Sequence, residues 1–440
     1  MTRPGRRVPV VGDFAPRPCR RDRDTTSSDA PTRRRRLVAV GGLFAFVVSA
    51  CGSSVSGPET TRTSVVTGAA VASFAVDQVS ASQRESVTGA LSESAGGDSA
   101  VLLADVTFPP ALVAEADLRS GGPGPDGIPS IDAPRFLHVA NVDFLRDTEP
   151  VYVLELNGEA RAYPLQIMTW HEIVNDTVGG IPVAVTYCPL CNSAAGYDRR
   201  HAGRVLSFGV SGLLWNSSLV MFDRQTRSLW GHFTGQGIAG VFAGVQLDAF
   251  PVTLSSWTDF KTAHPSGLVL SRDTGHPRSY GKNPYPGYDD INNPPFLFDG
   301  KVDGRYAAKT RMIGIDLDDR PVAVTGDRLI RDRVVAVTVG ERHLVVWWKL
   351  GTASALDAGE VAAGRDVGSV MVFDAVVDAR VLRFRPNGGQ FEDAETGSRW
   401  DTFGTATSGP LAGHRLTAIA HVDTFWFAWA AFKPATEIIG

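Results

Sequence analysis

The sequence predicts a mainly β protein, a β-rich α+β fold of two pseudo-symmetric halves packed as one domain, with few short helices. Three observations lead to this prediction. Short apolar runs, such as residues 151–156 and 334–339, alternate with Gly, Pro, Asn and Asp from about residue 151 to 434, which is typical of strands joined by turns. Stretches with helical periodicity are few and short, such as residues 165–174. The third observation is an internal repeat.

The repeat is clearest in an eight-residue motif that occurs twice, 170 positions apart. Its four shared residue types are Asp, Thr, Ser and Trp, found at Asp223, Thr226, Ser228 and Trp230 and again at Asp393, Thr396, Ser398 and Trp400. The repeat predicts a first half at about 150–270, a connector at 271–317 and a second half at 318–438. Related halves share the residues that determine their fold, so residues present in only one half are the better candidates for chemistry.

The N-terminus has the features of a bacterial lipoprotein signal peptide, which we predict to span residues 1–50. An arginine-rich segment precedes an uncharged apolar run, residues 37–50, that is too short to cross a bilayer comfortably as a helix. The run ends in Val-Ser-Ala before Cys51, and small residues before a cysteine suit lipoprotein processing. We therefore expect Cys51 to carry a lipid such as palmitate and to anchor the protein at the extracytoplasmic face of the cell membrane.

The chain after the signal peptide is expected to be a tether followed by one domain. Residues 51–117 are rich in Ser, Thr, Ala and Gly, which predicts a flexible tether, and the domain is expected at 118–440. The whole chain has a net charge of −4, and the first 50 residues carry eleven arginines against four aspartates, so residues 51–440 carry −11. An acidic domain argues against nucleic acid as a partner. The membrane, reached through the lipid, is the expected partner, and a small-molecule or protein partner stays open.

Cys188 and Cys191 are the two cysteines of the predicted domain, and they form a CxxC motif. Three interpretations are open. Two thiolates at this spacing can hold half of a Zn or Cu site. One thiol can be a redox group or a nucleophile activated by a neighbouring base or cation. The pair can also be a short structural disulfide or two buried thiols.

Other candidates were chosen because they can complete or serve such a site. His171 and Glu172 are the nearest possible metal ligands or catalytic partners in sequence, and His171 has no histidine counterpart in the second half. Arg199 is a possible anion or substrate clamp. Tyr285 and Tyr288 lie in a connector rich in Gly and Pro, where tyrosines line a ligand cleft about as often as they pin a loop.

These residues resemble a known family. The motifs Trp-His-Glu-Ile-Val-Asn-Asp at 170–176, Thr-Tyr-Cys-Pro-Leu-Cys-Asn-Ser-Ala-Ala at 186–195 and Phe-Trp-Phe-Ala-Trp-Ala-Ala-Phe at 425–432 are similar to those of the domain-of-unknown-function 3179 family. The resemblance covers about residues 118–440. It implies that these motifs matter, but it supplies no reaction.

The resemblance also implies that Cys188 is more important for the site than Cys191, because similar proteins often have threonine in place of the second cysteine. This favours a single-thiolate site with His171, which would suit copper or non-haem iron, or a cysteine nucleophile with His171 as its base, oriented by Glu172 or Asn175. The predicted function is therefore a Cys/His-centred site, holding a transition metal (Zn, Cu or Fe) or a reactive thiol, in a membrane-anchored protein. The alternative is a non-enzymatic binding or scaffold domain with CxxC as a structural disulfide, so whether the protein is an enzyme stays open.

Overall fold

A computed structural model describes residues 109–440 and shows a mainly β fold, as the sequence predicted. The predicted signal peptide, Cys51 and the tether up to residue 108 lie outside the described residues. The described part has no helix long and apolar enough to cross a membrane.

The first part of the described chain, up to residue 270, contains sixteen strands. They are β1 Leu118–Ser120, β2 Phe136–His138, β3 Pro150–Leu156, β4 Glu159–Pro164, β5 Ile173–Val178, β6 Ile181–Cys188, β7 Ser193–Asp198, β8 Arg200–His201, β9 Arg204–Val205, β10 Phe208–Trp215, β11 Ser218–Asp223, β12 Leu229–Gly231, β13 Gly237–Ala239, β14 Ala249–Phe250, β15 Thr253–Ser256 and β16 Leu268–Leu270.

The second part, from residue 311, contains thirteen strands. They are β17 Arg311–Leu317, β18 Arg320–Thr325, β19 Val334–Val339, β20 Arg342–Lys349, β21 Ser369–Asp374, β22 Val376–Val377, β23 Arg380–Val381, β24 Phe384–Asn387, β25 Gln390–Asp393, β26 Arg399–Trp400, β27 Ala406–Ser408, β28 Val422–Phe425 and β29 Glu437–Ile439.

Helices are few and short in the described residues, as expected. The four α-helices each have seven residues: α1 Leu165–His171, α2 Trp257–Ala263, α3 Gly326–Asp332 and α4 Trp426–Phe432. Three 3₁₀-helices span Glu115–Asp117, Val139–Asn141 and Val361–Ala363. Ser256 and Thr325 cap α2 and α3, because each side chain accepts a backbone N–H of the first turn.

The strands form one eight-stranded, one five-stranded and three four-stranded sheets, together with two two-stranded ribbons, among residues 109–440. The largest sheet has the order β19-β20-β21-β15-β3-β4-β16-β2, so strands from both parts of the chain belong to it. The sheet that matters for the cysteines has the order β14-β7-β6-β5. Its strand β6 is buried from Val183 to Cys188, consistent with its nearly unbroken apolar sequence.

The same order of elements occurs in both parts of the chain. A hairpin leads into a seven-residue helix and a second hairpin, β3-β4-α1-β5-β6 in one part and β17-β18-α3-β19-β20 in the other. The repeated sequence motif also makes matching bonds: Trp230 Nε1 donates to Asp223 at 2.9 Å, and Trp400 Nε1 donates to Asp393 at 2.9 Å. That these parts are duplicated, pseudo-symmetric halves stays a prediction.

Two residues of the second motif, Thr396 and Trp400, donate hydrogen bonds to the Asp393 carboxylate, which gives a test of the fold. Asp393 is fully buried and accepts the Thr396 N–H at 2.6 Å as well as the Trp400 indole. Asp393→Ala leaves buried donors without acceptors, so we expect a loss of about 2–4 kcal/mol in the free energy of unfolding, measured by urea denaturation. Asp248→Ala, at an exposed aspartate, is the control and should be neutral; equal effects of the two variants would contradict this role for Asp393.

Candidate thiol site

The two cysteines lie at the turn between β6 and β7, inside the protein. Cys188 is the last residue of β6, and Cys191 precedes β7. Both side chains are free thiols, with exposures of 1% and 0%. Asn192 takes a positive φ of 52°, a conformation that asparagine tolerates better than most residues, and the chain turns there into β7.

The Cys191 sulfur begins a chain of hydrogen bonds that runs into the core. The distance from Cys191 Sγ to Ser193 Oγ is 2.9 Å, and that from Ser193 Oγ to His232 Nε2 is 2.9 Å. On the other side of the imidazole, Nδ1 lies 2.8 Å from Thr186 Oγ1. Thr186 in turn donates to the Ala195 carbonyl at 3.1 Å.

The available donors and acceptors fix the direction of each hydrogen bond in this series. The Thr186 hydroxyl donates to a carbonyl, so its oxygen must accept the hydrogen bond from the N–H of His232 Nδ1. In the neutral imidazole, Nε2 is then an acceptor and takes the Ser193 O–H, which leaves the Ser193 oxygen to accept from the Cys191 thiol. We call Cys191, Ser193, His232 and Thr186 the thiol relay, because it connects the sulfur proton to an imidazole base.

The two sulfurs are electrostatically different. Burial alone would raise the pKa of Cys191, but the hydrogen bonds between its sulfur and Cys188, Ser193 and Ser218 outweigh this effect, and the pKa lies below the ordinary value. Burial raises the pKa of Cys188 well above the ordinary value, and its contact with Cys191 adds to this. Cys191 is therefore the more easily ionised thiol, and Cys188 keeps its proton.

Glu172 is a buried residue whose backbone carbonyl accepts the N–H of Tyr187, the neighbour of Cys188 in sequence, at 2.7 Å. It follows α1 with φ 59° and ψ −31° and is 8% exposed. Its carboxyl makes no hydrogen bond or ion pair with any residue between 109 and 440, and burial, together with the Cys188 thiol, raises its pKa well above the ordinary value. An unpaired buried carboxylate would be costly, so burial favours the protonated, neutral form of this side chain.

The connector covers the thiols with tyrosines. Tyr285 and Tyr288 pack against the apolar cluster that contains both cysteines, and Tyr285 also lies near Glu172. The Tyr288 hydroxyl donates to the Leu190 carbonyl at 2.8 Å. The structure thus brings both predicted connector tyrosines to the CxxC segment.

A strand from the second part of the chain holds the same segment. The Cys191 carbonyl accepts the Thr424 hydroxyl at 2.7 Å and the Phe425 N–H at 3.1 Å. The position of the Cys191 sulfur therefore depends on β28 as well as on β6 and β7.

His171 is engaged away from the sulfurs. Its Nδ1 lies 2.7 Å from the Pro129 carbonyl and its Nε2 lies 2.6 Å from the Tyr280 hydroxyl, so both ring nitrogens are used. Its ring centroid is 5.4 Å from that of His276. The structure therefore connects His232 to Cys191 through Ser193, while His171 belongs to a neighbouring cluster.

Arg199 is bonded to the backbone. Its guanidinium donates to the carbonyls of Val183, Leu206 and Asp176 at 3.0, 2.6 and 2.9 Å. These bonds tie neighbouring strand segments together, and the role of Arg199 as an anion clamp stays a prediction.

The predicted metal ligands do not form a complete set. Across residues 109–440, no group of three or more His, Cys, Asp or Glu side chains lies close enough to hold one ion. Cys188 and Cys191 lie together, but the third predicted ligand, His171, binds Pro129 and Tyr280 instead.

The chain belongs to the family described as "Protein of unknown function (DUF3179)", whose model matches residues 125–436. The resemblance found in the sequence is thus confirmed at the level of the family. No curated protein and no solved structure matches the chain.

Sequence reasoning gave no role to Ser193 or Thr186, and it considered His232 only as one of several histidines that could complete a site with the cysteines. A signal for His232 was present, because position 402, 170 residues later, is a threonine. The roles of Ser193 and Thr186 could not be found in this way, since their contacts with His232 span 39 and 46 residues and depend on the packing of β6 against the β12 region.

Burial of His171 predicts a specific pH dependence of stability. Burial lowers the pKa of His171 to about 4 in the folded protein, from an ordinary value of 6.5. The unfolded chain therefore binds this proton first, and folding stability is lost as the pH falls from about 6.5 towards 4. Between pH 7 and pH 5 this one group should cost on the order of 2 kcal/mol.

The measurement is the free energy of urea unfolding at both pH values for the wild type and for His171→Gln. We expect a smaller loss on acidification in the variant. His138→Gln, which changes an exposed histidine, should behave as the wild type does. An unchanged pH dependence in His171→Gln would contradict the assignment.

Proposed function

We propose that the protein is a membrane-anchored, extracytoplasmic protein with a redox-active thiol pair, in which Cys191 is the reactive sulfur and Cys188 is its partner. The thiol relay carries this proposal. A thiolate is the nucleophilic form of cysteine, and the Ser193–His232 path gives the Cys191 proton a route to a base as the sulfur reacts. The two thiols then join in one disulfide while two protons and two electrons pass to an oxidant.

The surroundings of the pair support reversible chemistry. Cys188 Sγ accepts the Leu219 N–H at 3.4 Å and donates to the Ser217 carbonyl at 3.8 Å. The reduced pair is therefore hydrogen-bonded on both sulfurs and needs no disulfide to satisfy its polar groups. A site that is stable as a dithiol can serve as one half of a redox couple.

A second candidate is a binding or scaffold domain in which the cysteines are a structural staple. The observation that favours it is the set of bonds from Thr424, Phe425 and Tyr288 to the CxxC backbone. These bonds make the segment a junction between the connector and both parts of the chain. A disulfide there would reinforce the junction without further chemistry.

The redox proposal is tested by cycling the full-length protein between two oxidation states. Diamide, a diazene that accepts two hydrogen atoms, should join Cys188 to Cys191, and dithiothreitol should release them, as measured by differential alkylation and peptide mapping. Cys188→Ser and Cys191→Ser should block the cycle. The reduced protein should stay folded, with a melting temperature within about 2 °C of the oxidised protein, which corresponds to about 1 kcal/mol for a domain of this size.

Two outcomes would count against redox function. If the reduced protein unfolds or loses much more stability, the cysteines act as the structural staple of the second candidate. If diamide cannot join the sulfurs in folded protein, the pair is not a redox couple.

The membrane location is proposed from the signal sequence and Cys51. Cys51→Ala should prevent incorporation of radiolabelled palmitate and move the protein from the membrane fraction to a soluble fraction or to an uncleaved precursor. Cys19→Ala, within the predicted signal peptide, is the matched control and should change neither result. Labelling that survives in Cys51→Ala would contradict the anchor.

A further inference from the structure

A cavity of about 510 Å³ is lined by the connector and the second part of the chain, and none of its lining residues belongs to the thiol relay. Its volume is in the range of sites that hold a small organic molecule. Helix α3, the connector around residues 287–291 and the segment 365–367 before β21 provide most of its lining. The redox function proposed for the thiols gives this cavity no role.

Apolar side chains from four elements line the cavity: Ile313 on β17, Leu329 and Ile330 on α3, Trp348 on β20 and Val370 on β21. The Trp348 indole N–H donates to the Val367 carbonyl at 3.1 Å, which holds the ring in place. Ile330, and Ile291 of the connector, are 46% and 51% exposed, although both are large aliphatic side chains. A ligand that covered them would remove this apolar surface from water.

The cations of the cavity wall already have partners. The Lys309 ammonium donates to the Tyr288 carbonyl and lies 3.7 Å from the centroid of the Tyr288 ring. The two guanidinium groups form ion pairs, Arg311 with Asp423, and Arg365 with Asp289 and Asp357. An anionic ligand would have to compete with these contacts.

The carboxylates of the wall are in excess. Five aspartates line the cavity against one lysine and two arginines, a net charge of −2. Asp327, in the first turn of α3, is exposed and makes no hydrogen bond or ion pair with any of residues 109–440. Asp327 and Ile330 are three positions apart on α3, so a free carboxylate and an exposed apolar side chain are neighbours on the helix surface.

We propose that this cavity binds a small organic cation, a primary amine with an aliphatic or aromatic body. The ammonium group binds Asp327, and the apolar body lies against Ile330 and Trp348. The excess of carboxylates and the exposed aliphatic side chains at one cavity favour a ligand that is both cationic and apolar. This site is independent of the redox function proposed for the thiol pair.

Three probes with the same apolar body test the class of ligand. They are 4-phenylbutylamine, 4-phenylbutanol and 4-phenylbutyrate, which are a cation, a neutral molecule and an anion at neutral pH. Binding to the full-length protein is measured by isothermal titration calorimetry. We expect the amine to bind at least about tenfold more tightly than the alcohol, because its ammonium gains a charge-assisted hydrogen bond, and the carboxylate to bind more weakly than both.

Two variants separate the ammonium from the apolar body. Asp327→Asn should weaken binding of the amine about tenfold and leave the alcohol unchanged, while Asp248→Asn, at an exposed aspartate outside the cavity, should change neither. Ile330→Ser should weaken binding of both the amine and the alcohol about threefold, while Leu350→Ser, at a residue that is 62% exposed and outside the cavity, should change neither.

Absence of binding by all three probes would overturn the site. Equal binding of the amine and the alcohol, or tighter binding of the carboxylate, would overturn the cationic class of ligand. An unchanged affinity for the amine in Asp327→Asn would contradict the contact between ammonium and carboxylate, and an unchanged affinity in Ile330→Ser would contradict the placement of the apolar body. The outcome of the diamide experiment affects none of these results.

Discussion

The thiol site depends on the way a fully buried imidazole satisfies both of its nitrogens. His232 is 0% exposed, and burial lowers its pKa below the ordinary value, so it is neutral. A neutral imidazole has one donor and one acceptor. Thr186 accepts the hydrogen bond of the donor nitrogen, and Ser193 donates to the acceptor nitrogen. The requirement that buried polar groups find partners thus makes Ser193 the link between imidazole and sulfur.

The same requirement separates the two cysteines. Cys191 lies at the end of the relay, where neighbouring hydroxyls can stabilise its ionised form. Cys188 is hydrogen-bonded to backbone groups, and burial favours its protonated form. Two chemically identical residues three positions apart thereby acquire different tasks, one as the reactive thiol and one as the proton-bearing partner.

The site is also a junction of the fold. The Cys191 carbonyl accepts hydrogen bonds from Thr424 and Phe425, and the connector contacts the same motif through the bond from the Tyr288 hydroxyl to the Leu190 carbonyl. Residues far apart in sequence therefore fix the position of one sulfur. Substitutions in β28 or in the connector are expected to shift the thiols through these backbone bonds, without altering any side chain of the relay.

The alternation of short apolar runs with turn residues was enough to predict a mainly β fold, because strand patterns are local. The importance of Cys188 and Cys191 was also visible, since they form one short motif. The side chains that contact the sulfurs could not be predicted from the sequence. His171 was chosen as the nearest histidine in sequence, yet both of its ring nitrogens form hydrogen bonds elsewhere, with Pro129 and Tyr280.

His232 illustrates why sequence proximity was a poor guide to the base. It lies 41 positions from Cys191, and hydrogen bonds across the core bring it to the motif. Such contacts depend on the packing of strands from different sheets. Strand periodicity predicts which face of a strand is buried, but not which residue of another sheet lies opposite.

The most direct test of the relay is a pH titration of the Cys191 thiolate by its ultraviolet absorbance, in full-length Cys188→Ser and in the double variant Cys188→Ser/Ser193→Ala. Peptide mapping confirms that the other cysteines are blocked. The relay predicts a higher pKa for Cys191 in the double variant than in the single variant, because burial then acts with less compensation from hydrogen bonds. An identical pKa in the two variants would contradict the claim that Ser193 and His232 activate this sulfur.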